Sequence, residues 1–327
     1  MLPLLLPFAL AQAAAAQSAG LTQPDAASPS AIVTAAPAGD WVTIAADDLL
    51  VMTLKPDAAG RTRRVVIQLM PAPFSQGWVA NIRMLARARW WDGLSVNRVQ
   101  DNYVAQWGDA DGEDKARAKP LPAGLRTMRE ADYDAPWPQE PLSVDSHSRI
   151  YSVPAARPGN ARADAYAPEA FLRGGWPLAT DKRRQWPVHC YGMVGVGRNL
   201  SPDTGTGAEL YAVIGHAPRH LDRNIALVGR VVEGIEFLSS LPRGTEALGF
   251  YGTPGERTPI RSIRLASDLP AAERPRLQYL STESASFAAY AHARANRHDA
   301  FFIRPAGGAD VCNVPVPVRQ APSIAQR

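Results

Sequence analysis

The chain has little of what a nucleophilic, metal-dependent or redox enzyme needs. It carries only two cysteines, Cys190 and Cys312. His189, Cys190, His216 and His220 come nearest to a ligand set, but they lack the paired spacing of a zinc site. His189 and Cys190 are adjacent, so on a strand they would face opposite sides and could not act together as base and thiol. Gly192-Met193-Val194-Gly195-Val196-Gly197 is rich in glycine, yet it lacks the dinucleotide spacing and no helix follows it. The net charge of +4 is small, and no long Lys/Arg block occurs, which argues against nucleic acid as a partner. Past the N-terminus no run is long and apolar enough to cross a bilayer, and there is no internal repeat. Asp47-Asp48 and the acidic cluster over 130–134 read as solvated loop charge.

What is present begins with an apolar run through Leu2, Leu4, Leu5, Leu6, Phe8 and Leu10. It is too short to span a membrane, and small residues with A-x-A-like sites follow between Ala11 and Ala19. Residues 1–20 therefore read as a secretory signal peptide, although no basic residue precedes the run. The expectation is an exported protein, periplasmic or secreted, whose mature form is soluble. In that setting two cysteines can pair, and the sequence leaves open a Cys190–Cys312 bridge or two buried thiols. Residues 21–40, rich in Ala, Ser, Pro and Thr, read as a flexible leader.

A main domain is expected over 41–268. Strand patterns fall at 49–54, 64–70, 191–196, 210–214, 226–232 and 259–266. Val79, Ile82 and Leu85 recur at helical spacing, so 76–89 is a predicted amphipathic helix, and 234–241 a short one. Between them, 110–188 reads as a long irregular insert full of Pro, Gly and charge. Residues 269–327 form a C-terminal extension, with an Ala-rich helix over 282–296 and an extended Val314-Pro315-Val316-Pro317-Val318 tail. The order strand, helix, strands, helix, strand lacks βα alternation and fits an antiparallel barrel closed by two helices.

The most informative segment runs from Val96 to Asp109. It reads as two short strands that bring Arg98, Tyr103 and Gln106 to one surface. Three blocks resemble the cyclophilin peptidyl-prolyl isomerases. The first is Val65-Val66-Ile67-Gln68-Leu69 with Val79-Ala80-Asn81-Ile82 and Trp91-Asp92-Gly93-Leu94. The second is Asn97-Arg98-Val99 with Tyr103-Val104-Ala105-Gln106-Trp107-Gly108-Asp109, similar to the family's "HRV…F-x-x-Q-G-G-D". The third runs from Gly192-Met193-Val194-Gly195 through Glu209-Leu210-Tyr211 and Leu221-Asp222 to Val228-Gly229-Arg230-Val231-Val232-Glu233-Gly234. The form resembles a bacterial exported subgroup with a long insert and a C-terminal extension.

The resemblance implies a mainly β fold, a closed antiparallel eight-stranded barrel capped by two α-helices. It implies isomerisation of X-Pro bonds in exported or unfolded polypeptides, with no cofactor and no metal. Arg98 matches the catalytic arginine. Tyr103, Val104, Gln106, Val194, Gly195, Tyr211 and Leu221 match substrate-binding positions, with Val194 and Gly195 on the strand that pairs with the bound peptide. Departures stand at Asn97, Trp107, Glu209, His220 and Ile225, and Trp107 is expected to reshape the site. The partners implied are proline-containing polypeptides, not nucleic acid and not a membrane, and the chain is expected to be a monomer. Read without the family, Arg98 could simply pair with Asp101 or Asp109, Tyr103 and Tyr211 could be packing residues, and Gln106 a sheet-edge amide. The alternative function is a non-catalytic proline-peptide-binding or chaperone module on the same fold.

Overall fold

Eight strands of this chain close on themselves, and the other described elements pack around that closure. The computed structural model describes residues 27–138, 151–152, 164–299 and 301–322. The signal peptide expected over 1–20 lies outside the described residues. In chain order the elements are α1 (Pro29–Ala35), β1 (Trp41–Thr43), β2 (Leu49–Leu54), β3 (Arg63–Leu69), α2 (Gln76–Arg87), β4 (Ser95–Val99) and β5 (Val104–Gly108). Then come β6 (Ala135–Pro136), β7 (Tyr151–Ser152), β8 (Glu169–Arg173), β9 (Trp176–Thr180) and β10 (Arg184–Pro187). They are followed by β11 (Met193–Val196), β12 (Leu210–Val213), β13 (Leu227–Glu233), α3 (Glu236–Ser239) and β14 (Thr258–Leu265). The chain finishes with β15 (Leu277–Leu280), α4 (Ala285–Ala295) and β16 (Val318–Gln320).

The barrel runs β11-β12-β5-β4-β14-β2-β3-β13 and closes from β13 back to β11. The near-continuous apolar run of β2 follows from burial on both faces. Leu50, Met52 and Leu54 enter the barrel core, whereas Leu49 and Val51 join Val66, Ala266 and Leu277 in a second cluster outside it. That second cluster seats the C-terminal extension on the barrel wall. The amphipathic face expected of α2 is present: Trp78, Val79, Ile82, Leu85 and Ala86 are buried. Trp78 Nε1 donates to the carbonyls of Thr204 and Gly205, and Asn81 Nδ2 to those of Arg126 and Thr206. These bonds satisfy loop carbonyls that would otherwise be orphaned. The short α3 packs against β3, with Leu238 buried in the main core.

Two expectations are corrected. The stretch read as a flexible leader over 21–40 is helical at Pro29–Ala35. Ser28 caps that helix by accepting the Ala31 N–H, Pro29 opens it, and it packs on α4. An N-cap and an N-terminal proline are local helix signals, but the helix is stable only because the distant α4 covers it. The insert read as irregular over 110–188 contains a five-stranded sheet ordered β6-β10-β9-β8-β7. Its strands are two to five residues long, and Pro177 and Pro187 sit inside them. Short strands with internal prolines break the alternation by which strands are recognised. Phe171, Trp176, Leu178 and Trp186 of this sheet are buried in the same core as the barrel.

The extension forms a sheet with the N-terminal strand, ordered β1-β15-β16. A disulfide joins Cys190, just ahead of β11, to Cys312, with the two Cα atoms 5.0 Å apart. That settles the alternative the sequence left open, and it removes Cys190 as a thiol nucleophile.

Candidate active site

Local backbone geometry decides which side chains of β4 face outward. Register shifts between Val96 and Arg98 where β4 meets β5. Val96 and Val99 both enter the barrel core, and Arg98 between them is turned to the outer face. A bulge that re-aims one side chain is a recurrent device beside functional sites. On β5, Ala105 and Trp107 point inward to the core while Val104 and Gln106 point outward, as strand alternation requires. On β12, Leu210 and Ala212 point inward while Tyr211 and Val213 point outward.

Pairing registers then line these residues up. Arg98 lies opposite Gln106, Gln106 opposite Tyr211, and Tyr211 opposite Gly195, so one row crosses four strands. Val104 lies opposite Val213 in the next row. Val104, Tyr211 and Val213 form a compact apolar cluster of their own, flanked by the half-buried Tyr103 and Ile225. A cation and an amide thus stand beside a small apolar floor.

Among the described residues, no carboxylate holds Arg98. Its Nε donates to the Leu248 carbonyl at 2.7 Å, Nη1 to Gln106 Oε1 at 3.1 Å, and Nη2 to Gln100 Oε1. Its Cζ lies 5.9 Å from the Tyr103 ring centre and 5.3 Å from that of Phe250. Ion pairing with Asp101 or Asp109 does not occur. Asp101 pairs with Arg243, and the Asp109 carboxylate accepts the backbone N–H groups of Asp111 and Lys119. Burial pulls the guanidinium pKa down, and the Tyr103 and Tyr211 phenols push it back up; the group remains cationic. A guanidinium has five N–H donors. Three are engaged, so one on Nη1 and one on Nη2 remain for a ligand.

Several expected roles are corrected. Val194 is buried in the barrel core. Its strand β11 is paired on both edges, to β12 and β13, so Val194 and Gly195 offer no free edge to a substrate strand. Gly195 contributes differently: a Cβ there would lie 2.3 Å from the Tyr211 phenol, so only glycine lets that ring lie flat across β11. Leu221 sits half-buried on a 3-10 turn and does not join the Val104 cluster. Ile225, four residues on, takes that place. Trp107 does not reshape the site, because its ring is wholly buried inside the barrel.

Sequence reasoning missed three contributors. Phe250 bridges to Arg98 from a distant downstream loop, with no local pattern to announce it. His189 accepts or donates at the Tyr211 hydroxyl, 3.0 Å away. Glu209 accepts the Asp109 N–H at 2.6 Å beneath the row. Burial pushes the Glu209 carboxyl up to about 7, opposed by the Asp109 N–H and by side-chain hydrogen bonds from Gln106 and Asn97. His220 lies stacked on Tyr103, ring centres 6.4 Å apart and planes 7° from parallel.

With this geometry in place, comparison with known proteins is informative. The family described as "Cyclophilin type peptidyl-prolyl cis-trans isomerase/CLD" matches residues 57–265, more than half of the chain. The fold is similar to that of the cyclophilin AquaCyp293 from Hirschia baltica, with a TM-score of 0.60 at 21% identity over 86% of this chain and 95% of that one. A cyclophilin-type isomerase from Cryptosporidium parvum aligns at 10% identity over 67% of this chain and 96% of its own, with a TM-score of 0.38. No curated protein matches the chain.

Proposed function

The chain belongs to the cyclophilin-type peptidyl-prolyl cis-trans isomerase family, and from that premise we propose that Arg98 eases rotation about X-Pro bonds of exported or unfolded polypeptides. Isomerase activity comes with the family. The mechanism and the substrates are inferred from the site, and the compartment from the apolar N-terminal run. Amide resonance sets a barrier of about 18–20 kcal/mol to X-Pro rotation. Twisting the bond localises a lone pair on the prolyl nitrogen. A donor aimed at that nitrogen binds the twisted state more strongly than the planar one, which is the condition for catalysis. The two uncommitted N–H groups of Arg98 supply such a donor. The proline ring rests on Tyr211 and Ile225, backed by the buried Val104 and Val213, with Tyr103 at the rim, and Gln106 holds the flanking backbone. No proton moves and no covalent bond forms.

The observation that carries this reading is a half-buried guanidinium with no carboxylate partner among the described residues, next to an apolar floor. The test is exchange spectroscopy on an Ala-Ala-Pro-Phe peptide. Accelerated cis-trans exchange, with resonance shifts at the Gln106 side-chain amide and the Tyr103 ring, supports it. Peptide binding at those groups with exchange at the uncatalysed rate would make the protein a binding module instead. Export is tested by N-terminal sequencing of the mature chain recovered from its native host, with a start beyond residue 20 expected.

A pH dependence follows from Glu209. Its ionised carboxylate accepts from Gln106 and leaves Gln106 Oε1 free for Arg98. Protonated, it becomes a donor and competes with Arg98 for that oxygen. With the carboxyl titrating at about 7, kcat/KM is expected to fall by up to about tenfold from pH 8 to pH 6, and Glu209→Gln to remove the step. The same step surviving in Glu209→Gln would remove Glu209 as its source. The stability linkage has the opposite sense. The native state holds this proton more tightly than the unfolded chain, so the associated stability is present below about 4.5 and is lost as pH rises through about 7.

A further inference from the structure

The apolar floor rests on a buried polar chain that prolyl isomerisation itself does not require. Tyr211 presents a phenol inside the protein, only 4% exposed, and a buried hydroxyl needs a partner. Its partner is His189 Nε2 at 3.0 Å. The other ring nitrogen, Nδ1, lies 2.9 Å from Asp222 Oδ1, which also accepts the His189 backbone N–H. A carboxylate at Nδ1 requires a proton there, so Nε2 is the acceptor and the Tyr211 hydroxyl donates. Burial keeps the imidazole neutral by lowering its pKa, against the pull of Asp222. Asp222 Oδ2 accepts from Arg219 Nε at 2.7 Å. The two remaining nitrogens of Arg219 grip Asp164 in a fork, at 2.8 and 3.0 Å. Asp164 Oδ1 also accepts the N–H groups of Tyr166 and Ala167. All five residues are buried.

The chain joins four places in the sequence. Asp164 belongs to the insert, just ahead of β8. Arg219 and Asp222 lie on the loop that carries Ile225. His189 is the link from the insert sheet into β11, and Tyr211 is the pocket floor. A phenylalanine at 211 would pack without any of this, and a buried ion-pair chain is poor value as stability alone because desolvating it costs about as much as the pairing returns. What the chain does provide is a single orientation for the Tyr211 ring, pressed across the bare backbone of Gly195.

We propose that Asp164, Arg219, Asp222 and His189 are positioning residues that fix the Tyr211 ring, so that the insert sets the shape of the proline pocket. This rests on the reading of Val104, Tyr211 and Val213 as that pocket. The insert is then a part of the substrate site, acting through Asp164 without touching substrate.

The test is a double-mutant cycle between Asp164→Ala and Tyr211→Phe, read by NMR titration with the Ala-Ala-Pro-Phe peptide as well as by turnover. Asp164→Ala alone is expected to raise Kd and KM about fivefold while kcat stays within about twofold. Tyr ring resonances should show faster flipping of Tyr211. In the Tyr211→Phe background, Asp164→Ala should change Kd by less than about twofold, because the ring is already released. Effects that multiply in the double variant, or an unchanged Kd in Asp164→Ala, would overturn the proposal. Should Asp164→Ala fail to fold, Asp164→Asn retains the acceptor for Tyr166 and Ala167, and the same non-additivity with Tyr211→Phe is required. Failure of wild type to accelerate exchange would instead sink the isomerase mechanism, and the binding cycle would still report on the positioning chain.

Discussion

Arg98→Ala is expected to reduce kcat/KM for a proline tetrapeptide by about a hundred- to a thousand-fold, the range seen when one preorganised transition-state donor is removed. The loss should fall mainly on kcat. The planar ground state meets the apolar cluster and Gln106, which remain, whereas the pyramidal nitrogen meets only the guanidinium. Arg98→Lys should rescue little. The guanidinium is fixed by three acceptors on three different segments, Gln100, Gln106 and Leu248, and an ammonium on a flexible stem cannot satisfy them and still present a donor to substrate. The fold should survive, because Arg98 has no charge partner among the described residues to strand. The exposed Leu248 carbonyl can turn to water, and circular dichroism should be unchanged. A variant within about threefold of wild type would remove Arg98 from the mechanism and favour catalysis by the apolar floor and Gln106 alone.

The sequence carried the barrel more fully than the site. Strands such as β2 and β3 announce themselves because both faces are buried, inside against the barrel core and outside against the extension, giving runs of Leu, Val, Ile and Met. Arg98, Tyr103, Val104 and Gln106 were legible because they sit on one hairpin, where short-range order and family resemblance coincide. Tyr211, on β12, was legible from the family resemblance. What was hidden depends on contacts across the chain. Phe250 meets Arg98 from a loop with no periodicity. Ile225 rather than Leu221 reaches the cluster, Leu221 being taken up in the 3-10 turn Arg219–Leu221. Val194 resembled a peptide-pairing position, but strand pairing is a property of both neighbours, and β13 occupies the edge a substrate would need. Asp164 gave no signal at all, and His189 drew notice only as the neighbour of Cys190. One acid in a segment without patterning and one histidine beside a cysteine acquire meaning only when Arg219 and Asp222 are placed between them.

Removing the Cys190–Cys312 bridge is expected to cost about 5 kcal/mol of stability at most, from the chain entropy released when a loop of this length is opened in the unfolded state; the two residues are 122 apart in sequence. The loop spans β11 to β14 and nearly the whole extension, so the bridge restrains the unfolded ensemble far more than it adds contacts to the native one. The native extension keeps its own anchors without it. Leu277 seats against Leu49 and Val51, α4 packs on α1, and Arg319 lies 3.9 Å over the Trp41 ring. The paired variant Cys190→Ser with Cys312→Ser should therefore fold, unfold at a lower denaturant midpoint, and match wild type measured in reductant. Hydrogen exchange should rise first in β16 and around Val311–Asn313, where the bridge is the nearest constraint, and last in the barrel. Turnover at room temperature should persist, since neither sulfur touches the row from Arg98 to Gly195. Equal midpoints with and without reductant would mean that the extension is held by packing alone. A large difference would tie full stability to an oxidising compartment, where such bridges form and persist, and so give the proposed export of this chain a physical consequence.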